Sequence, residues 1–229
     1  MNAPLKPDET ACLLPTVMVE CDAPAVRAFA LGHTVDHQSP LDCAVALYYA
    51  VRDGIRYDAY GLDLSVPGLR ATTTLETGRG WCVSKAILLA AACRALGIPA
   101  ALGYADVRNH LSTERMRQTM KTDVFYWHGY TAILLEGRWV KATPAFNVEL
   151  CDKFRIRALE FDGREDSIYH PLDLDGRQHM EYLAYRGEFA DVPLAEMSAD
   201  FRKYYPGVSE SLAGGDFDRD VNAETARAS

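Results

Sequence analysis

An α+β fold, with a buried helix packed on an antiparallel β-sheet, is what the sequence predicts, and three observations carry the prediction. Residues 82–96 form an alanine- and leucine-rich run that is apolar over most of its helical surface, with Gly97 as a C-terminal cap and Pro99 just beyond. Residues 123–135 are aromatic and β-branched in the manner of a strand, Glu136-Gly137 turns the chain, and residues 138–144 read as the returning strand. A third run, from Ser39 to Gly54, starts Ser-Pro and places apolar side chains at Leu41, Val45, Leu47, Tyr48 and Val51, the pattern of a capped amphipathic helix.

The remaining elements follow in chain order. Residues 11–21 alternate small, apolar and polar groups around Pro15 and read as an opening strand. Residues 23–31 suit a short helix with Pro24 in its first turn. Residues 57–74, rich in Gly, Pro and Thr, read as a connection to the loop 76–80, after which the central helix begins. Residues 100–104 suit a core strand, and the polar stretch 109–120 reads as an insert placed to cover whatever lies beside His128. Residues 193–205 suit a closing helix, whereas the polar residues 207–229 read as a mobile tail or an oligomer arm. The chain is thus expected to hold one domain, residues 1–206, followed by the tail; 229 residues with 48% hydrophobic content are ample for one core.

The chemistry concentrates where helix and hairpin would meet. Cys82 opens the central helix directly after Gly80-Trp81, where unpaired backbone N–H groups and the positive end of the helix dipole favour thiolate over thiol. His128 lies inside the first hairpin strand. A Cys and His pair is the minimum apparatus for covalent acyl transfer, because imidazole can take the thiol proton and later protonate the leaving group. Trp81 and Trp127 each precede one member of the pair and can wall a pocket. Strict alternation puts Tyr126 and Tyr130 on the face of His128, where a hydroxyl could assist a tetrahedral oxyanion, although the backbone N–H of Cys82 is the cheaper donor.

At these residues the chain resembles the bacterial transglutaminase-like superfamily, a branch of the papain-like cysteine enzymes. Three blocks carry the resemblance: residues 40–57 as the preceding helix, Gly80-Trp81-Cys82 through Ala100 as the nucleophile block, and His128 with the turn Gly137-Arg138-Trp139-Val140 as the histidine block. It implies a transglutaminase-like, papain-like core with Cys82 and His128 as catalytic residues. It also implies an aspartate on the returning strand, and Thr143 stands there instead. A hydroxyl can accept from imidazole but cannot stabilise imidazolium as a carboxylate does. Asn147, which could orient the ring through its amide oxygen, is the second candidate for a third catalytic group, and Asp152, Asp162 and Asp166 remain further ones.

Composition narrows the partners. A net charge of −8 provides no basic excess for nucleic acid or an anionic membrane surface, so an acyl- or amide-bearing small molecule or peptide is the expected substrate, with a homo-oligomer left open. The six cysteines are scattered without disulfide or zinc spacing, and no leader-like or membrane-spanning run is evident, so a reduced, cytoplasmic protein is expected. The stretch 162–182 mixes Asp, Arg, His and Tyr and reads as a loop contributing to the pocket; His170 and His179 lack metal-ligand spacing, and neither a metal nor another cofactor is expected. The expected activity is hydrolysis of an amide or peptide bond through a Cys82 thioester. Acyl transfer to another acceptor and a non-catalytic scaffold are the alternatives.

Overall fold

The computed structural model describes residues 8–37, 39–109, 112–168, 172–176, 179–208, 212 and 214–226. Its centre is helix α5 (Cys82–Ala95), preceded in the chain by α1 (Pro24–Gly32), α2 (Pro40–Gly54), α3 (Val66–Leu69) and α4 (Ala71–Thr77). Alanine and leucine dominate α5 and no glycine or proline interrupts it, so local preference and burial agree. Every residue from Cys82 to Arg94 is buried. The Trp81 N–H donates to Ser84 Oγ at 3.0 Å at the start of the helix, and Gly97, with φ of 74°, turns the chain out at its end. One side of α5 packs on the sheet and the others on α1, α2 and α4.

The sheet is antiparallel throughout. It orders β5 (Arg138–Ala142), β4 (Val124–Leu135), β3 (Ala100–Asn109) and β6 (Met180–Phe189) side by side. A separate two-residue parallel ladder pairs β1 (Arg56–Tyr57) with β2 (Arg79–Gly80) and holds the connection against the start of α5. The architecture is an α+β arrangement in which the buried helix α5 packs on an antiparallel sheet.

A helix buried on all sides must satisfy its polar residues internally. The Lys85 ammonium donates to the carbonyls of Arg52 and Ile55 at 2.9 and 2.5 Å, closing the C-terminal end of α2. Arg94 donates to Ala100 O, Leu14 O and Ala190 O at 2.7 to 2.8 Å, tying the N-terminal segment, the start of β3 and the end of β6 to one guanidinium.

Three expectations are corrected. Residues 11–21 are a 3₁₀ turn at Ala11–Leu13 followed by loop rather than a strand: Cys12, Met18, Val19 and Cys21 bury singly, and the Leu14 carbonyl is taken by Arg94. The connection 57–74 contains α3 and most of α4, with Ser65 Oγ capping Gly68 N–H. Helix α7 (Val148–Phe154) and strand β6 come from stretches whose pattern is weak, β6 having mostly half-buried and exposed side chains. The tail is docked as well. After α6 (Glu114–Met120) and α8 (Leu194–Tyr204), helix α9 (Phe217–Thr225) buries Phe217 and Val221. Phe217 meets the Tyr57 and Tyr60 rings edge-on at 5.7 and 5.2 Å. Asp220 accepts from Arg115 Nε and the Tyr60 hydroxyl, and Glu224 caps the Glu114 N–H, so α9 is strapped to α6. Residues 227–229 lie outside the described residues. Among those described, no helix is long and apolar enough to cross a membrane.

Burial lowers the Lys85 ammonium to about 7, below the roughly 10.4 of the unfolded chain. Between these values the unfolded state holds a proton that the folded state has shed, so folding stability rises with pH across that window, by up to about 1.4 kcal/mol per pH unit. Urea unfolding should therefore show a steeper gain in stability between about pH 7 and about pH 9 in the wild type than in Lys85→Met. Equal slopes would show that the buried ammonium does not titrate in this range.

Candidate active site

Cys82 is placed by the first turn of α5 and by the strand beneath it. Gly129 of β4 lies directly under that turn: a Cβ there would stand 2.9 Å from Val83 Cα and 3.2 Å from Cys82 O. Only glycine lets β4 approach so closely. The next inward residue, Thr131, donates its hydroxyl to Ala86 O at 2.9 Å and continues the seam. As a result the Gly129 N–H, together with those of Val83 and Cys82, reaches the Cys82 sulfur.

His128 is placed by a β-bulge. The β3–β4 register pairs Ala105 with His128 and Val107 with Phe125, so Tyr126 and Trp127 together oppose Asp106. Trp127 takes a left-handed backbone with φ of 62°, at a cost of roughly 1–2 kcal/mol for a residue other than glycine. A charged network holds it there. Trp127 N–H donates to Asp106 Oδ1 at 3.2 Å and its indole N–H to Asp200 Oδ2 at 2.9 Å, while Arg186 bridges Asp106 and Asp200 and lies 4.7 Å from the indole ring centre. Strict alternation therefore fails at this point. Tyr126 reaches the pocket beside His128, stacked on Tyr204 at 4.0 Å. Tyr130 sits in a separate cluster with Cys12, Ala101 and Ala132, its hydroxyl on Glu188. Trp127 is buried under Arg186 rather than lining the pocket.

Cys82 and His128 line one pocket, at 7% and 5% exposure. Burial is the dominant electrostatic influence on both. It pushes the Cys82 thiol up to about 11, outweighing the three backbone N–H groups that favour the thiolate. It lowers the His128 imidazole to about 4, with the nearby His179 ring adding to the effect. Burial thus opposes the thiolate that the helix start favours. Both shifts favour the uncharged pair, thiol and neutral imidazole.

Behind the imidazole lies a second cavity, lined by His128, Thr143, Phe146 and His179. His128 Nε2 and Thr143 Oγ1 are both buried, and neither has a hydrogen-bond partner among the described residues. Thr143 therefore shares a cavity with the imidazole without bonding to it. Asn147 is committed elsewhere: its carboxamide oxygen accepts from Tyr57 N–H and its nitrogen donates to Glu149, at the start of α7. Asp162 accepts from Arg164 and Glu165 N–H, and Asp166 from Lys141 N–H, while Asp152 is exposed. His179 belongs to the loop read as a contributor to the pocket; His170 lies outside the described residues.

The front pocket is roofed by residues that sequence reasoning assigned only in part. Met116 and Met120 of α6 cover it, as the insert was expected to. Leu62, Phe201, Val208 and Leu212 also line it and were not anticipated. Trp81 also lines it, and its indole N–H is buried with no acceptor among the described residues.

No curated protein matches the sequence. Among solved structures, the chain is similar to a protein proposed to be a cysteine protease from Cytophaga hutchinsonii, with 19% identity and a TM-score of 0.49 over 83% of this chain and 50% of that one. It is also similar to a protein proposed to be a protease from Parabacteroides distasonis ATCC 8503, with 13% identity and a TM-score of 0.37 over 56% of this chain and 26% of that one. The chain thus spans half the length of the first and about a quarter of the second. The family model described as the transglutaminase-like superfamily matches residues 27–144, just over half of the chain and the stretch that holds α2, α5, Cys82, His128 and the hairpin. The chain belongs to the transglutaminase-like superfamily.

Proposed function

We propose that the protein is a cysteine-dependent acyl-transfer enzyme that hydrolyses an amide bond through a Cys82 thioester. The observation that carries the reading is the enclosure of Cys82 Sγ and the His128 imidazole in one pocket, with backbone N–H groups gathered at the sulfur. Neutral His128 takes the thiol proton as Sγ attacks the carbonyl carbon; the C–S bond forms and the carbonyl π electrons move to oxygen. The Cys82 N–H and the unpartnered Trp81 indole N–H are the donors assigned to that oxyanion. The C–N bond then breaks as the imidazolium returns its proton to the leaving nitrogen. Water attacks the thioester, His128 accepts its proton, and cleavage of the C–S bond with return of the proton to sulfur restores the resting pair and releases the acid.

Acyl transfer to an amine is the second reading, favoured by the apolar enclosure of the thioester, since what excludes water from that intermediate decides the acceptor. An amine added to the assay separates the two by diverting product from acid to amide.

On exposure to p-nitrophenyl acetate and quenching in acid, peptide mass spectrometry should find the acetyl group on Cys82, in preference to the other five cysteines. Acylation should vanish in Cys82→Ala and fall by about 10² to 10⁴ in His128→Ala, the range for loss of a general base. Acylation spread evenly over the cysteines, or equal in the His128 variant, would overturn the reading.

The Thr143→Asp substitution places a carboxylate in the cavity behind the imidazole. It should raise the His128 pKa above its value of about 4, because a nearby negative charge favours imidazolium. Histidine NMR titration measures this directly, and an unmoved resonance would show that position 143 does not address the ring.

A further inference from the structure

We infer that the group bound beside Cys82 is a short, uncharged, apolar acyl chain rather than a polypeptide side chain of mixed polarity. The inference rests on the acyl-transfer reading above and specifies its substrate. Three features of the pocket support it.

The first is charge. None of the described residues lining the pocket is Asp, Glu, Lys or Arg, and its one titratable base, His128, is held neutral. A carboxylate or ammonium on the acyl chain would enter without a counter-ion, and an unpaired charge in such surroundings is strongly disfavoured. The second is lining chemistry. Leu62, Met116, Met120, Phe201, Val208 and Leu212 present carbon and sulfur surfaces, Tyr57, Asn109 and Tyr126 add neutral polar groups, and the Tyr205 hydroxyl is already bonded to Val124 O and Tyr126 N–H. The Trp81 indole N–H is buried without an acceptor among the described residues, and a single carbonyl oxygen supplies one.

The third is size. The space within it that water-sized groups can occupy is about 40 Å³. At about 10–15 Å³ per water-sized group, it holds about three such groups, which fits an acyl chain of about two to four carbons. Met116 and Met120 of α6 line it, and α6 is strapped to α9 through Arg115–Asp220 and the Glu114 N–H on Glu224, which holds that wall in place. Two methionines in the roof set the far wall. Their side chains are the adjustable part of it, since methionine is unbranched and flexible.

The test is acylation of the intact protein by a series of p-nitrophenyl esters, read as kcat/KM for release of p-nitrophenol with Cys82→Ala as the blank. The butyrate ester should exceed both the octanoate and the hemisuccinate ester by about tenfold or more, since a methylene or an unpaired charge in a fitted pocket costs at least this much. The octanoate-to-butyrate ratio should rise in Met116→Ala, which deepens the pocket; a ratio within one preparation does not depend on how much of the variant is folded. Equal or faster reaction of octanoate or hemisuccinate, or a ratio unmoved by Met116→Ala, overturns the inference while leaving the acyl-transfer reading intact. If no ester acylates Cys82, the acyl-transfer reading fails first and the inference with it.

Discussion

The approach of strand β4 to the first turn of helix α5 at Gly129 is the constraint from which the site follows. A methyl group at that position would stand 2.9 Å from Val83 Cα, so any side chain there separates the two elements. Because glycine is present, the backbone N–H of Gly129 reaches the Cys82 sulfur, and the residue just before it, His128, enters the same pocket. Thr131 fastens the next turn through Ala86 O. On the other side of His128, the strand leaves regular geometry at Trp127. The left-handed backbone there is sustained by Asp106, Arg186 and Asp200, a charged network whose role is to hold one bulge. Two local devices, a glycine contact and a braced bulge, thus fix a thiol and an imidazole relative to one another.

Enclosure then decides the protonation states. Helix dipole and backbone N–H groups favour a thiolate, but the desolvation of a buried thiol is larger, and the imidazole is depressed for the same reason. Both effects favour a pair that rests uncharged. Thr143 shares the cavity behind the imidazole, but its uncharged hydroxyl makes no bond to the ring, so imidazolium gains no counter-charge from that position. In the proposed reaction the same enclosure would strengthen N–H donors to a developing oxyanion, because a dry site screens them little. A neutral pair in an apolar chamber suits an uncharged acyl group better than a charged one.

Much of this was legible in the sequence, and the exceptions share a cause. Helix α5, the β4–β5 hairpin and the Ser39-capped α2 are local patterns, and the helix punctuation by Gly97 and Pro99 could be read from adjacent residues. Cys82 and His128 stood out because each sits at a position with chemical meaning within its own element. What could not be read depends on contacts between distant segments. The bulge at Trp127 needs Arg186 and Asp200, and without it Tyr126 and Tyr130 look equivalent. Residues 207–229 are polar enough to suggest a free tail, yet Phe217 and Val221 suffice to dock a helix once Tyr57 and Tyr60 are in place. The enclosure of Cys82 was hidden for the same reason, since the helix start is a local signal and burial is not.

The most direct test of the central claim, a buried pair that rests uncharged, is the rate of Cys82 alkylation by iodoacetamide against pH, mapped by mass spectrometry in wild type and His128→Ala. The account predicts a rate that climbs about tenfold per pH unit from about pH 6 to about pH 10, following the thiolate fraction of a thiol near 11, with the same slope in both proteins. A rate that is already on a plateau below the roughly 8.5 of a free thiol, and that loses this plateau in His128→Ala, would mean a standing thiolate–imidazolium pair and would contradict it.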